Sequence, residues 1–216
     1  MNHIEFIPLI EPATKKDRES EIIPSGTPLT NANEWDTYQK RELGKNYLNF
    51  PNSISNGIYQ YRLFDIDIED IERVINLHIG DTDINESISL FGGFAISKNG
   101  IIELFPQCCG LLEEIQLWKK ILKDDFEDFY LTECHPSPLI TKRKNEIVIY
   151  CKDDNETFVS VTTKHEIRLD YNETKSALLI MLDDLANYST ELNKISERFA
   201  TKNIADIMIW GKNENV

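Results

Sequence analysis

The chain has 216 residues, enough for one large domain or two small ones, and enough to bury a core without disulfides or a structural metal. Its 37 acidic side chains outnumber 23 basic ones, giving a net charge of −14, a field that repels nucleic acid and anionic lipid and attracts basic partners. No charged-then-apolar leader opens it and no apolar run is long enough to span a bilayer, which points to a cytoplasmic protein with reduced thiols.

Residues 1–30 read as an irregular N-terminal segment packed on a single domain of residues 1–216. Within it His3 to Ile10 is apolar enough for an edge strand, and Pro8, Pro12, Pro24 and Pro28 break any longer element. Lys15 to Glu21 is a charge run, read as a solvated loop or short helix. A helix is expected from Asn33-Glu34-Trp35 to Leu43, with Gly44 as its stop and Trp35, Tyr38, Leu43 and Tyr47 on its buried side. Ile58 to Phe64 alternates like a strand. Asp67 to His78 carries Ile68, Ile71, Val74 and Ile75 at helical spacing behind an acidic first turn, and Gly80 ends it.

The centre of the pattern is Ser89 to Trp118. Two apolar segments, Phe94–Ile96 and Ile101–Phe105, flank Ser97-Lys98-Asn99-Gly100, and Asn-Gly tolerates the positive φ of a tight hairpin. Gly92-Gly93 is expected to form a tight turn leading into that hairpin. Pro106 stops the second strand, and a helix is expected from about Cys108 to Leu122 with Leu111, Leu112, Ile115 and Trp118 on one face. The acidic segment Asp124 to Thr132 places Phe126, Phe129 and Tyr130 on one side. Lys142-Arg143-Lys144 reads as a turn. Ile147–Tyr150, Phe158–Thr162 and Glu166–Leu169 form an antiparallel meander. The longest helix opens at Asn172; its apolar stripe through Leu178, Leu182, Leu185, Leu192, Ile195 and Phe199 suits a helix lying across a sheet, or a coiled-coil seam interrupted at Ser189 and Ser196. Ile204–Trp210 is a short strand or helix. The sum is an α+β fold: a mainly antiparallel sheet of about six strands covered by helices, with a long helix near the C-terminus.

Four cysteines stand at 108, 109, 134 and 151. Cys108 and Cys109 are adjacent and expected to point apart, so the spacing predicts free thiols, no bound metal and no cofactor. A zinc site from Cys108, Cys134, His135 and Cys151 is the alternative. A nucleophilic Cys108 or Cys109 at a helix start would need His135, His165, His78 or His3 as base. The carboxylates crowd at Asp65, Asp67, Glu69 and Asp70 and at Asp124, Asp125, Glu127 and Asp128; these two clusters are the candidate partner-binding residues, set against the simpler reading of solvated faces. There is no Gly-rich phosphate loop.

Gly92-Gly93-Phe94, Phe105-Pro106-Gln107-Cys108-Cys109-Gly110 and Trp118 resemble small bacterial immunity proteins of polymorphic or contact-dependent toxin systems. The resemblance implies a non-enzymatic protein that binds and neutralises a cognate, basic toxin domain, as monomer or homodimer, with no nucleic acid or membrane partner. Two other readings stay open: a small cysteine-dependent hydrolase or transferase, and an adaptor that dimerises through the long helix.

Overall fold

A computed structural model describes residues 3–14, 23–159 and 164–211. Among the described residues eight strands form two four-stranded antiparallel sheets, β2-β1-β3-β4 and β5-β6-β7-β8. In the first sheet β1 (Ile4–Ile10) pairs along its whole length with β3 (Gly92–Lys98), which turns through Asn99 and Gly100 into β4 (Ile101–Leu104). Asn99 and Gly100 both have positive φ, 54° and 78°, the conformation the Asn-Gly pair was expected to supply. Gly92 and Gly93 do not form a turn. They are the first residues of β3, opposite Ile10 and Leu9, and a Cβ on Gly92 would lie 2.0 Å from the Leu9 carbonyl oxygen.

Chain segment β1 is the second strand of its sheet and not an edge, because β2 (Tyr61–Arg62) pairs with Leu9 and Ile10. The expected strand Ile58–Phe64 shrinks to those two residues for a local reason. The next pairing would place Leu63 against Pro8, which has no N–H to give, and the chain turns into a 3-10 helix at Leu63–Asp65. Helix α1 (Ala32–Asn46) runs through Gly44 and closes with the Tyr47 N–H on the Leu43 carbonyl. Helix α2 (Ile68–Ile79) buries Ile71, Val74 and Ile75, and Gly80 at φ 55° ends it as expected.

The second sheet holds β5 (Asp128–Tyr130), β6 (Leu139–Arg143), β7 (Glu146–Tyr150) and β8 (Glu166–Asp170). Lys142 and Arg143 belong to β6; only Lys144, at φ 57°, makes the turn. Phe158 and Val159 lie outside any strand, and the rest of Phe158–Thr162, like Lys15–Glu21, falls outside the described residues. Phe126 and Phe129 are buried but Tyr130 faces solvent, as alternation along a strand requires.

One hydrophobic core runs through both sheets, and Trp118 is its junction. This side chain, fully buried on α3 (Ile115–Trp118), meets Phe6 of the first sheet edge-on at 5.2 Å and Phe129 of the second at 5.5 Å. Helix α4 (Tyr171–Leu192) lies against β1, β7 and β8, with Leu178, Met181 and Leu185 buried. The stripe continues in a 3-10 turn, Asn193–Phe199. Ser189 and Ser196 interrupt it because they anchor the tail: Ser189 Oγ accepts from the Trp210 indole at 2.9 Å, and Ser196 Oγ from the Ile204 N–H at 3.1 Å, where α5 (Ile204–Met208) begins. No described helix is long and apolar enough to cross a membrane.

Candidate functional site

The site grows out of the chain that leaves β4. Helical structure begins only at Leu112, so Phe105–Leu111 is an extended connection and neither cysteine stands at a helix start. Gly110 presses this connection onto β3: its carbonyl accepts from the Gly92 N–H at 2.8 Å, and a Cβ on Gly110 would lie 2.5 Å from the Gly92 carbonyl oxygen. Gln107 is buried, and its side chain reaches into the β7–β8 connection, donating to the Val159 carbonyl and accepting from the Val159 N–H at 2.8 Å. Gln60 donates to both the Pro106 carbonyl and Glu11 Oε1, which brings Glu11 alongside.

Between these clamps Cys109 adopts φ 63°. In an extended chain adjacent side chains point to opposite faces, but a left-handed residue breaks that alternation, and the two Sγ atoms lie 3.3 Å apart. The second sheet supplies the third group. His135, in the β5–β6 connection, forms a single antiparallel bridge with Cys108, its N–H donating to the Cys108 carbonyl at 3.0 Å. The thiols of Cys108 and Cys109 and a ring nitrogen of His135 all lie within 4.8 Å of one another, on three exposed residues. His135 Nδ1 is 3.3 Å from Glu156 Oε2, in the connection that Gln107 holds.

A free thiol is a poor nucleophile here. The hydrogen bond from Cys109, then burial, then the charges of Cys109, Glu11 and Glu156 push the Cys108 thiol up to about 11. Burial raises Glu11 above the usual carboxylate range, against the opposing Gln60 hydrogen bond.

The zinc set Cys108, Cys134, His135 and Cys151 is not assembled. Cys134 and Cys151 are buried; Cys134 points at the Leu131 and Pro136 carbonyls, and burial pushes the Cys151 thiol up to about 12. Cys109 takes their place. Of the other histidines, His78 packs edge-on against Phe91, and the group of three includes neither His3 nor His165. Asp65, Asp67 and Glu69 are exposed as a docking face requires. Asp70 is not: it is 1% exposed, and its carboxylate accepts from the Leu48 and Asn49 N–H groups at 2.8 Å each, so it holds the α1–β2 connection. Asp124, Asp125, Glu127 and Asp128 are exposed around a shallow depression that Lys142 and Lys144 also line.

Sequence reasoning passed over Glu156 and Glu11, gave Gln107 no role beyond its place in a motif, and set Cys108 with Cys134 and Cys151; the run Pro106-Gln107-Cys108-Cys109-Gly110 was the signal that marked the place. The expectation of a chain that is no enzyme is corrected by the same finding, since a Cys-Cys-His cluster with ligand-like spacing is consistent with a catalytic or metal-binding site and weighs against a purely non-enzymatic role. No protein-family model, curated protein or solved structure matches the chain, so the chemistry of this centre rests on its own geometry.

Proposed function

We propose that Cys108, Cys109 and His135 form a transition-metal centre of the zinc class with one open position, and that the chain is a small cysteine-dependent hydrolase working through it. The observation that carries this reading is the mutual approach of the three donors within 4.8 Å on exposed residues. Two thiolates and an imidazole, with the fourth position left to water, are a catalytic zinc donor set, whereas structural sites close all four. A carboxylate at His135 Nδ1, as Glu156 provides, fixes the tautomer that offers Nε2 to a metal. A bound cation also removes the obstacle of the high Cys108 thiol, because coordination deprotonates it. When bound, the metal would supply a Lewis acid and an acidified water; Cys108, Cys109 and His135 would hold it, and Glu11, whose charge Cys108 senses, would take the water proton and return it to the leaving group as the bond to carbon or phosphorus breaks.

The test is titration of chelator-treated protein with zinc or cobalt. One equivalent should bind, cobalt should show thiolate charge-transfer absorption, and Cys108→Ser, Cys109→Ser and His135→Ala should each abolish it. Chromogenic esters and phosphoesters should then be cleaved only by the metal-loaded form. Failure to bind an equivalent of either metal overturns the centre; binding without cleavage of any substrate class overturns the hydrolase.

A second reading is favoured by the net charge of −14 and the exposed carboxylates at Asp65, Asp67, Glu69, Asp124, Asp125, Glu127 and Asp128: a surface that binds a basic toxin domain, as the immunity-protein resemblance implies. Association with such a domain should slow as salt rises, and a complex indifferent to salt and to charge reversal would remove the electrostatic basis of this reading.

A further inference from the structure

Strand β1 has a half-open edge. The bonds of Asn99 N–H to the His3 carbonyl and of Glu11 N–H to the Phe91 carbonyl bracket its ladder with β3. In an antiparallel ladder alternate residues face the partner, so residues 3, 5, 7, 9 and 11 turn their backbone groups toward β3, and 4, 6, 8 and 10 turn theirs away. Ile10 meets β2, and beyond it Pro8 ends the pairing. The outward N–H and C=O of Ile4 and Phe6 and the carbonyl of Pro8 have no strand partner among the described residues, although Ile4 and Phe6 are only 6% and 4% exposed. Backbone groups without a strand partner among the described residues form a template for another strand.

Both faces of this edge open into grooves. On the α4 side a cavity of about 260 Å³ is lined by His3 to Pro8, Phe64, Ala177, Ile180 and Met181, and by Arg62, Asp65 and Asp184. Ile180 and Phe64 are 65% and 39% exposed there. On the opposite face a second cavity, about 550 Å³, is lined by Glu5, Ile7, Asn52, Ser53 and Asp65. Among the described residues Arg62 is the one Lys or Arg lining either groove, and it stands 3.8 Å from Glu5. A strand added at this edge would send alternate side chains into the α4-side groove, where Phe64, Ala177, Ile180 and Met181 are apolar, and into the opposite one, where Asn52 and Ser53 are polar; Glu5 and Asp65 line both.

We propose that the open edge of β1 binds an extended segment of a partner protein in which apolar and basic residues alternate. Main-chain bonds to Ile4, Phe6 and Pro8 supply affinity, and the two grooves supply specificity. The charge of the occupant follows from Glu5, Asp65 and Asp184 against the single Arg62, within a chain of net charge −14. This inference goes beyond the metal centre and does not rest on it.

The test uses the full chain, chelator-treated, with fluorescein-labelled octapeptides followed by anisotropy. Alternating Val-Lys should bind saturably. Alternating Val-Glu, and Val-Lys carrying N-methyl groups on every second residue, should each bind at least about ten-fold more weakly. The N-methyl arm uses unaltered protein, so its outcome is free of folding effects. Asp65→Lys with Asp184→Lys, both exposed, should weaken Val-Lys to a similar extent. No saturable binding, equal binding of Val-Glu, or indifference to N-methylation overturns the proposal. A dimer that excludes the peptide and dissociates on Ile180→Glu also overturns it, by giving the edge to a second copy.

Discussion

At the scale of the residue, the proposed centre depends on a group that donates nothing to a metal. Glu156 faces His135 Nδ1 at 3.3 Å, so Glu156→Gln should lower zinc affinity by about 10–100-fold while leaving stoichiometry and fold unchanged. Competition with a chromophoric chelator reads that shift; an unchanged affinity would mean the carboxylate has no part in orienting the ring. Glu114 raises a different question. It is 3% exposed, its Oε1 has no partner, and burial pushes its carboxyl up to about 8, with the charges of Glu133 and Glu113 adding and hydrogen bonding by Cys134 opposing. A carboxyl whose folded value lies above its unfolded one stabilises the fold at low pH and loses that contribution as pH rises. Stability should therefore fall between about pH 4.5 and about 8 and then level off. Glu114→Gln should flatten this slope and be the more stable protein at pH 9, on the order of a few kcal/mol. Urea midpoints at pH 5 and pH 9 check it, and an equally steep decline in the variant would assign the slope to other groups. None of this was legible in the sequence, which shows Glu113-Glu114 as one more acidic pair; only burial separates them.

At the scale of the element, what the sequence made legible is what is local. Asn99-Gly100, the apolar spacing of α2 and the long stripe of α4 each carry their own period or turn chemistry, and each formed as read. The errors sit where a distant segment decides. Pro8 truncates the strand that Ile58–Phe64 promised, and Gly110, drawn against Gly92, keeps the cysteines off the helix that their apolar neighbours suggested. The left-handed turn at Cys109 then reversed the inference that adjacent thiols point apart. The glycines separate the two kinds of constraint. Gly100 stands in open space at φ 78°, so Gly100→Val should cost about 1–3 kcal/mol through backbone strain alone. Gly92→Ala must also displace the Leu9 carbonyl, 2.0 Å from the new Cβ, and should cost more, about 3 kcal/mol or above. Chemical denaturation of both variants ranks them; Gly92→Ala milder than Gly100→Val would show that β1 and β3 can part without loss.

At the scale of the whole molecule, the Cys108–Cys109–His135 cluster proposed to hold a metal lies on the seam between the two sheets. Cys108 and Cys109 follow β4 of the first sheet, and His135 sits between β5 and β6 of the second. The core already joins the sheets through Trp118, packed on Phe6 and Phe129, but the Cys108–His135 bridge at the surface is a single pair. A metal held by all three residues would cross-link that rim. Because it binds the folded chain and finds no preformed site in the unfolded one, it should stabilise by mass action, about 2.7 kcal/mol at a hundred-fold excess over its dissociation constant. The gain should appear in both sheets, as slower amide exchange at residues flanking Cys108 and at those flanking His135. It should vanish in His135→Ala, an exposed position whose loss leaves the core intact. Stabilisation that persists in that variant would place the metal elsewhere, and stabilisation confined to the β3–β4 sheet would leave the two cysteines binding without the histidine. Only a gain shared by both sheets and lost with His135 fits a centre built from the two halves of the fold.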